Sequence, residues 1–270
     1  MQFDPNSEFI EIGDHMAHRG VGDVLTLTSV IREVNQKYPA RKIVVKTLGD
    51  KSCFLHNPRI HEIKNELLDH PIDAPIPGHY ILKKCSFFGI QDPSYRNELF
   101  ISEEEGAEAR SLIKELSGDR SVILFAPNSS DRRRDWTVDG WNALLEAVSE
   151  KYDVYQVDRQ THNSEDAKRG IFPEGKPEDI EPERTFLQAR QELRGVDWRK
   201  AMALMKVSGK YLGTNTGFLP MANAFGSEHF VFHDTRFVNP SEWEYPDNIN
   251  FYETNRIETV IRHIKNHWLG

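Results

Sequence analysis

The sequence predicts an α/β protein with parallel sheets, built as two successive halves. Three observations carry this. Strand-like apolar stretches alternate with helical periodicity almost from the start, and the turns that join them carry glycine, serine and threonine. After Ser117-Gly118 the same order of strand, turn and helix begins again. The expected division is therefore 1–117 and 118–270, the second half closing with a terminal helix.

In the first half, Phe9-Ile10-Glu11-Ile12 reads as a strand followed by the turn Gly20-Val21-Gly22-Asp23. Leu27, Val30, Ile31 and Val34 then recur at helical spacing until Tyr38-Pro39 stops the helix. Lys42 to Lys46 is the second strand. From His56 to Tyr80, Pro58, Pro71, Pro75 and Pro77 interrupt the pattern, and mostly loop with short elements is expected. Glu103-Glu104-Glu105 opens an amphipathic helix with its acidic residues at the positive end of the helix dipole.

In the second half, Ser121 to Phe125 is a strand, Thr137 suits the cap of a helix bearing Trp141, Leu144, Leu145 and Val148, and Asp153 to Val157 is a strand. A helix carries Trp198, Ala201, Met202 and Met205. After it come a strand at 209–212, the turn Gly213 to Gly217, a helix to Ala224 and a strand at 229–232. Ile257, Val260, Ile261 and Ile264 mark the last helix.

Composition narrows the class. With 270 residues and 38% hydrophobic content the chain has material for real cores. It contains no apolar run of about eighteen residues, and its N-terminus lacks the basic flank and apolar stretch of a signal peptide. A cytoplasmic protein without stable membrane insertion is expected. The two cysteines, Cys53 and Cys85, read as reduced thiols. A net charge of -8 argues against coating nucleic acid or anionic lipid over the whole surface.

Three turns carry candidate chemistry. Gly20-Val21-Gly22-Asp23 lies between strand and helix, where backbone approaches a ligand closely. As a nicotinamide-cofactor fingerprint it is poor, because Leu25 replaces the third glycine and Asp23 sets a carboxylate beside a pyrophosphate. A plain helix cap and a general base at the sheet edge remain as readings of Asp23. Pro127 to Trp136 follows a strand with Ser129, Ser130, Arg132, Arg133 and Arg134, hydroxyls and forked cations that suit a diphosphate. Asn215-Thr216-Gly217 again joins strand to helix with small polar residues. A GxxxxGK match at Gly170 to Lys176 fails because Pro177 stands where Ser or Thr is needed. The eleven histidines form no HExxH or Cys/His pattern, so no metal ligands are assigned.

Taken together these turns resemble the ADP-heptose:lipopolysaccharide heptosyltransferase family, glycosyltransferase family 9. The likeness runs through Gly22-Asp23-Val24-Leu25, His56 to Ile63, Tyr80 to Gly89, Asn97 to Glu105, Phe125 to Trp141 and Gly213 to Gly226. It implies a GT-B fold: two Rossmann-like domains with parallel sheets facing across a cleft, acceptor on the first, nucleotide-sugar on the second. It implies an inverting, metal-independent transfer with no cofactor beyond the donor, an ADP-sugar in the family. Asp23 matches the family's general base, Arg134 the cation that neutralises the leaving diphosphate, and Ser129 with Ser130, Arg132, Asn215, Thr216 and Gly217 the donor-binding set. Gly20 and Gly22 match the acceptor-side phosphate loop.

The chain departs from the family in four places. Asn215 stands for an aspartate, Pro220 for a histidine and Gly20 for a serine, and further strands and helices between Pro58 and Tyr80 are missing. The acceptor stays open among glycan, glycolipid, natural-product glycoside, protein and modified nucleic-acid base. A non-catalytic nucleotide-sugar-binding protein and a sugar-nucleotide epimerase or hydrolase are the alternatives.

Overall fold

A computed structural model describes residues 3–15, 21–129, 135–157, 186, 188–236, 239–245, 247–252 and 255–269. The first half contains β1 (Phe9–Gly13), α1 (Val21–Lys37), β2 (Lys42–Lys46), β3 (Ile60–Lys64), α2 (Tyr80–Phe87) and α3 (Glu103–Ser117). Its strands form a parallel sheet in the order β1-β2-β3. The second half contains β4 (Val122–Ala126), α4 (Val138–Ser149), β5 (Asp153–Gln156), α5 (Trp198–Ser208), β6 (Lys210–Thr214), α6 (Phe218–Phe225), β7 (Glu228–His233), β8 (Ile249–Tyr252) and α7 (Ile257–Ile264). These strands form a second parallel sheet in the order β5-β4-β6-β7-β8. The expected architecture of two parallel sheets is present.

The two sheets are covered differently, and side-chain alternation shows why. Along β4, Val122, Leu124 and Ala126 enter one apolar core while Ile123 and Phe125 enter another, so this strand is buried on both faces. In the first sheet one face is apolar and the other carries charge around the buried Val44. Ile10, Ile12, Ile43 and Val45 point into the core. Their neighbours on the other face include Glu11, Lys46 and Glu62, and Lys46 holds Glu11 at 2.9 Å and Glu66 at 3.2 Å.

Some boundaries differ from expectation. The turn read as Gly213 to Gly217 is shorter, because Gly213 and Thr214 pair with Val231 and Phe232 as the end of β6. A methyl at Gly213 would sit 2.5 Å from the Ala126 carbonyl oxygen, so glycine is required there. Strand β8 was not foreseen, since Ile249 to Tyr252 contains only two aliphatic or Phe residues and gains its burial from β7. The π-turn Lys265–Leu269 continues α7 and seats Trp268 against Phe230 at 4.5 Å between rings. Thr137 caps α4 as expected, accepting from the Gly140 amide. Both cysteines are free and buried, and burial pushes the Cys85 thiol up to about 12.

One core runs beneath both halves, joining Val24, Leu25 and Ile31 of α1 to Met202, Met205, Leu219 and Met221 of α5 and α6. Arg199 of α5 reinforces it. Its guanidinium donates to the carbonyls of Ser52 (3.0 Å) and Phe100 (2.9 Å) and grips both oxygens of Glu105, at 2.7 and 2.5 Å. Glu105 in turn completes a capping box with Ser102 at the start of α3.

The hydrogen bonds from Arg199 hold the Glu105 carboxyl at about 2, below its ordinary 4.5. A depressed folded value contributes stability that is complete above pH 4.5 and is lost as pH falls toward 2. Glu105→Gln should therefore cost about 1–2 kcal/mol at pH 7, after allowance for solvent screening. Urea melts at pH 7, 4 and 3 should show the gap from wild type closing as the acid is protonated. A gap that stays constant over this range would contradict the account.

Candidate functional site

Strand order locates a crevice in the second sheet. From β4 the chain moves outward to β5 and then returns across β4 to β6, so β4 and β6 are neighbours whose following helices lie on opposite faces. Helix α4 packs into one core through Trp141, Leu144 and Leu145, and α6 into the other through Phe218, Leu219 and Met221. Ligands in open parallel sheets bind where strand order reverses, outside the carboxyl ends of the strands. The segments leaving β4 and β6 at this point begin with Pro127-Asn128-Ser129 and with Asn215-Thr216-Gly217, the two turns singled out from the sequence.

The turn after β6 is braced from below. The Tyr211 hydroxyl donates to the Thr214 carbonyl at 2.9 Å, and Tyr211 is fully buried, which raises its phenol above the ordinary value. The Thr216 hydroxyl accepts from the Phe218 amide at 3.3 Å, and its carbonyl accepts from Leu219. Pro220 follows in the first turn of α6, where a missing N–H costs nothing. Asn215 is buried, and its Nδ2 has no hydrogen-bond partner among the described residues. A buried amide donor left unpaired is unfavourable until something accepts from it. Ser129 is also buried, but its backbone N–H donates to Asp135 at 2.7 Å and so serves the loop itself.

The first half meets this turn at the start of α1. A methyl at Gly217 would lie 3.4 Å from the Gly22 nitrogen, and one at Gly22 would lie 3.6 Å from the Gly217 Cα. Side chains of ordinary size at both positions would hold the two helices apart. The positive ends of α1 and α6 therefore converge, with Asp23 in the first turn of one and Asn215 and Thr216 just before the other. Asp23, Gly22, Asn215, Thr216 and Gly217 are brought together. Ser130, Arg132, Arg134 and Gly20 lie outside the described residues, as does the rejected GxxxxGK segment.

Beside this junction lie residues to which the sequence reading assigned no role. Asn97, on the segment between α2 and α3, bonds to Asn223 and to the Pro220 carbonyl of α6 and to the Tyr245 hydroxyl. Burial raises the Tyr245 phenol, and the charge of Asp23 raises it further. The His79 ring lies 4.5 Å from Tyr95 and 5.1 Å from Tyr245, and burial holds it neutral with a value of about 4. Since its Nδ1 accepts from Ile81, the ring proton is on Nε2. Asn97 and Asn223 fall inside the stretches that resemble the family, but nothing local in the sequence assigned them, Tyr245 or His79 a role.

Among the described residues no cluster of three or more His, Cys, Asp or Glu is placed to hold a metal ion, and no helix is long and apolar enough to cross a membrane.

Neither a family model nor a curated protein matches the sequence significantly. Solved structures do match its fold. A glycosyl transferase family 9 structure from Veillonella parvula aligns over 98% of this chain and 90% of its own, with a TM-score of 0.67 at 10% identity. The ADP-heptose lps heptosyltransferase II of E. coli aligns over 96% and 98%, with a TM-score of 0.66 at 13% identity. The dodecameric, iron-containing heptosyltransferase TibC, solved with ADP-D-beta-D-heptose, aligns over 92% of this chain and 62% of its own, with a TM-score of 0.59 at 13% identity. The chain has the GT-B fold of these proteins, over nearly its whole length.

An amide donor at position 215 has a direct consequence. Asn215→Ala removes that donor and should weaken ADP binding by roughly tenfold to a hundredfold, the scale of a hydrogen bond to a charged group. Adenosine binding should change little. Calorimetry with both ligands checks this, and equal losses for the two would show that Asn215 does not face the phosphates.

Proposed function

We propose that this protein is a glycosyltransferase that moves a sugar from a nucleotide-diphosphate-sugar to an acceptor hydroxyl, with inversion and without a metal ion. The observation that carries the reading is the meeting of two helix N-termini at Gly22 and Gly217, one bearing a carboxylate and the other an unpaired amide donor. Two positive helix ends favour a diphosphate, and a carboxylate at the same place favours proton abstraction from an incoming hydroxyl. The GT-B fold shared with structures named as ADP-heptose transferases supports the same reading.

In this scheme the nucleotide lies over the carboxyl ends of β4 and β6. The diphosphate is held by Asn215, Thr216 and Gly217, with Ser129, Ser130, Arg132 and Arg134 on the facing loop. Asp23 accepts the acceptor's proton as its oxygen attacks the anomeric carbon. The bond to the leaving phosphate oxygen breaks, and arginine and helix dipole stabilise the charge that develops there. Gly20 and Gly22 let the acceptor-side loop approach closely. The proposed domains are 1–117 for the acceptor and 118–270 for the donor, although α3 packs mainly on α5. The family's ADP-sugar is the first donor to test.

The reading is tested by incubation with ADP-, UDP- and GDP-sugars, with and without candidate glycan and glycolipid acceptors. Transfer that depends on an acceptor supports it. Sugar released or rearranged without acceptor would mean a hydrolase or epimerase, and binding without turnover would mean a nucleotide-sugar-binding protein. Asp23→Asn should reduce transfer by about a hundredfold or more while leaving the nucleotide Kd unchanged, as expected for loss of a general base.

Metal independence is tested separately. Arg132, Arg133 and Arg134 supply the cations that a divalent ion would otherwise provide to the diphosphate. EDTA should leave the rate within about twofold of the untreated protein. Activity abolished by EDTA and restored by Mn²⁺ would refute the metal-free scheme.

A further inference from the structure

Two helices meet at Gly22 and Gly217, and the apolar contacts they share are non-directional. A second contact lies deeper. Ser29 is six residues beyond Asp23 on α1, and Asn223 is six residues beyond Gly217 on α6. Each is therefore about 9 Å along its helix from the residues that meet a ligand. Asn97 sits between them and is almost completely buried.

Its backbone N–H and both ends of its side-chain amide are engaged. The side-chain oxygen accepts from the Ser29 hydroxyl at 3.0 Å. The backbone N–H donates to Asn223 Oδ1 at 2.7 Å, and Nδ2 donates to the Pro220 carbonyl at 3.1 Å, to Asn223 Oδ1 at 3.2 Å and to the Tyr245 hydroxyl at 3.1 Å. Its flanks are held to α1 by several bonds. The Ser29 hydroxyl also donates to the Arg96 carbonyl (2.8 Å), the Glu98 amide to Thr28 (3.1 Å), and Arg32 to the Ser94 carbonyl (3.0 Å). Asn97 is thus the place where a segment anchored on α1 reaches across to α6.

Tyr245 extends the tie to the connection between β7 and β8. Trp243 on that connection stacks on Tyr80 of α2 at 5.0 Å, and Glu242 pairs with Lys83 at 2.5 Å. The second half is therefore lashed to the first at the helix crossing and again at α2.

We infer that Asn97 is a positioning residue: by fixing α1 against α6 at a second point, it sets the separation between Asp23 and the turn Asn215-Thr216-Gly217. The geometry stands by itself, and only its consequence for sugar transfer rests on the function proposed above. Reacting groups must be held near their productive separation, and a displacement of about 1 Å is enough to cost roughly a hundredfold in rate. A buried, fully satisfied amide is suited to this, because any rotation of α6 leaves at least one of its partners unpaired.

Double electron-electron resonance tests the inference, with nitroxides at the exposed positions Gln36→Cys on α1 and Glu258→Cys on α7, and ADP as the probe ligand. Wild type should give one narrow distance distribution that ADP does not shift. Asn97→Ala should broaden it about twofold or more, Asn223→Ala should broaden it likewise, and the double variant should go no further, because both act through one contact. The Kd for ADP should stay within about threefold in each variant, since the phosphate turn itself is intact. Circular dichroism confirms the fold, and if Asn97→Ala does not fold, Asn223→Ala decides. A variant distribution as narrow as wild type, or a wild-type distribution that ADP displaces, would overturn the inference. Failure of wild type to bind ADP would instead count against the proposed function, while the widths would still decide the role of Asn97.

Discussion

The rest of the structure depends on the close approach of α1 and α6. Both helices start at the carboxyl end of a parallel sheet, and both carry glycine where they meet, so the two sheets are brought together at their ligand-facing edges. Converging helix dipoles oppose one another, and an electrostatic cost of this kind is tolerated when anionic groups occupy the junction. Asp23 supplies one such group within the chain. Asn215 Nδ2, buried and without a hydrogen-bond partner among the described residues, stands at the same junction.

The apolar core explains how that junction is held. Leu25 and Ile31 of α1 share a core with Met202, Leu219 and Met221, so the halves meet through buried side chains rather than through a thin linker. Burial of this kind is non-directional and keeps surfaces together without fixing their orientation. Orientation comes from the polar groups embedded within it. Arg199 binds the Ser52 and Phe100 carbonyls at one side, and Asn97 joins α1 to α6 at another. Each is costly to bury alone and favourable only when all its partners are in place, so each admits few arrangements of the helices.

The small first half follows the same logic. A parallel sheet normally needs helices on both faces. Here the outer face of β1, β2 and β3 carries Glu11, Lys46 and Glu62 instead, and Lys46 sits between two carboxylates that raise its pKa, the hydrogen bond it donates to Glu11 foremost. A charged face can meet water directly, so this sheet does not expose an apolar surface there. The departure at Pro220 is similarly resolved: its carbonyl takes a bond from Asn97, a role that depends on backbone and tolerates a change of side chain.

The sequence by itself determined the α/β class, the parallel order of most elements and the turns at Gly22-Asp23 and Asn215-Thr216-Gly217, because hydrophobic period and turn chemistry are local properties. It also marked Thr137 as a cap, since capping acts between residues three positions apart. It did not reveal β8, whose four residues owe their strand to pairing with β7. Nor did it reveal that Asn97 and Tyr245, separated by 148 positions in the chain, are joined by a hydrogen bond. An asparagine or tyrosine is unremarkable in a list of residues. What distinguishes these two is a shared apolar surrounding in which every polar atom must find a partner, and only the tertiary structure decides which partners are near.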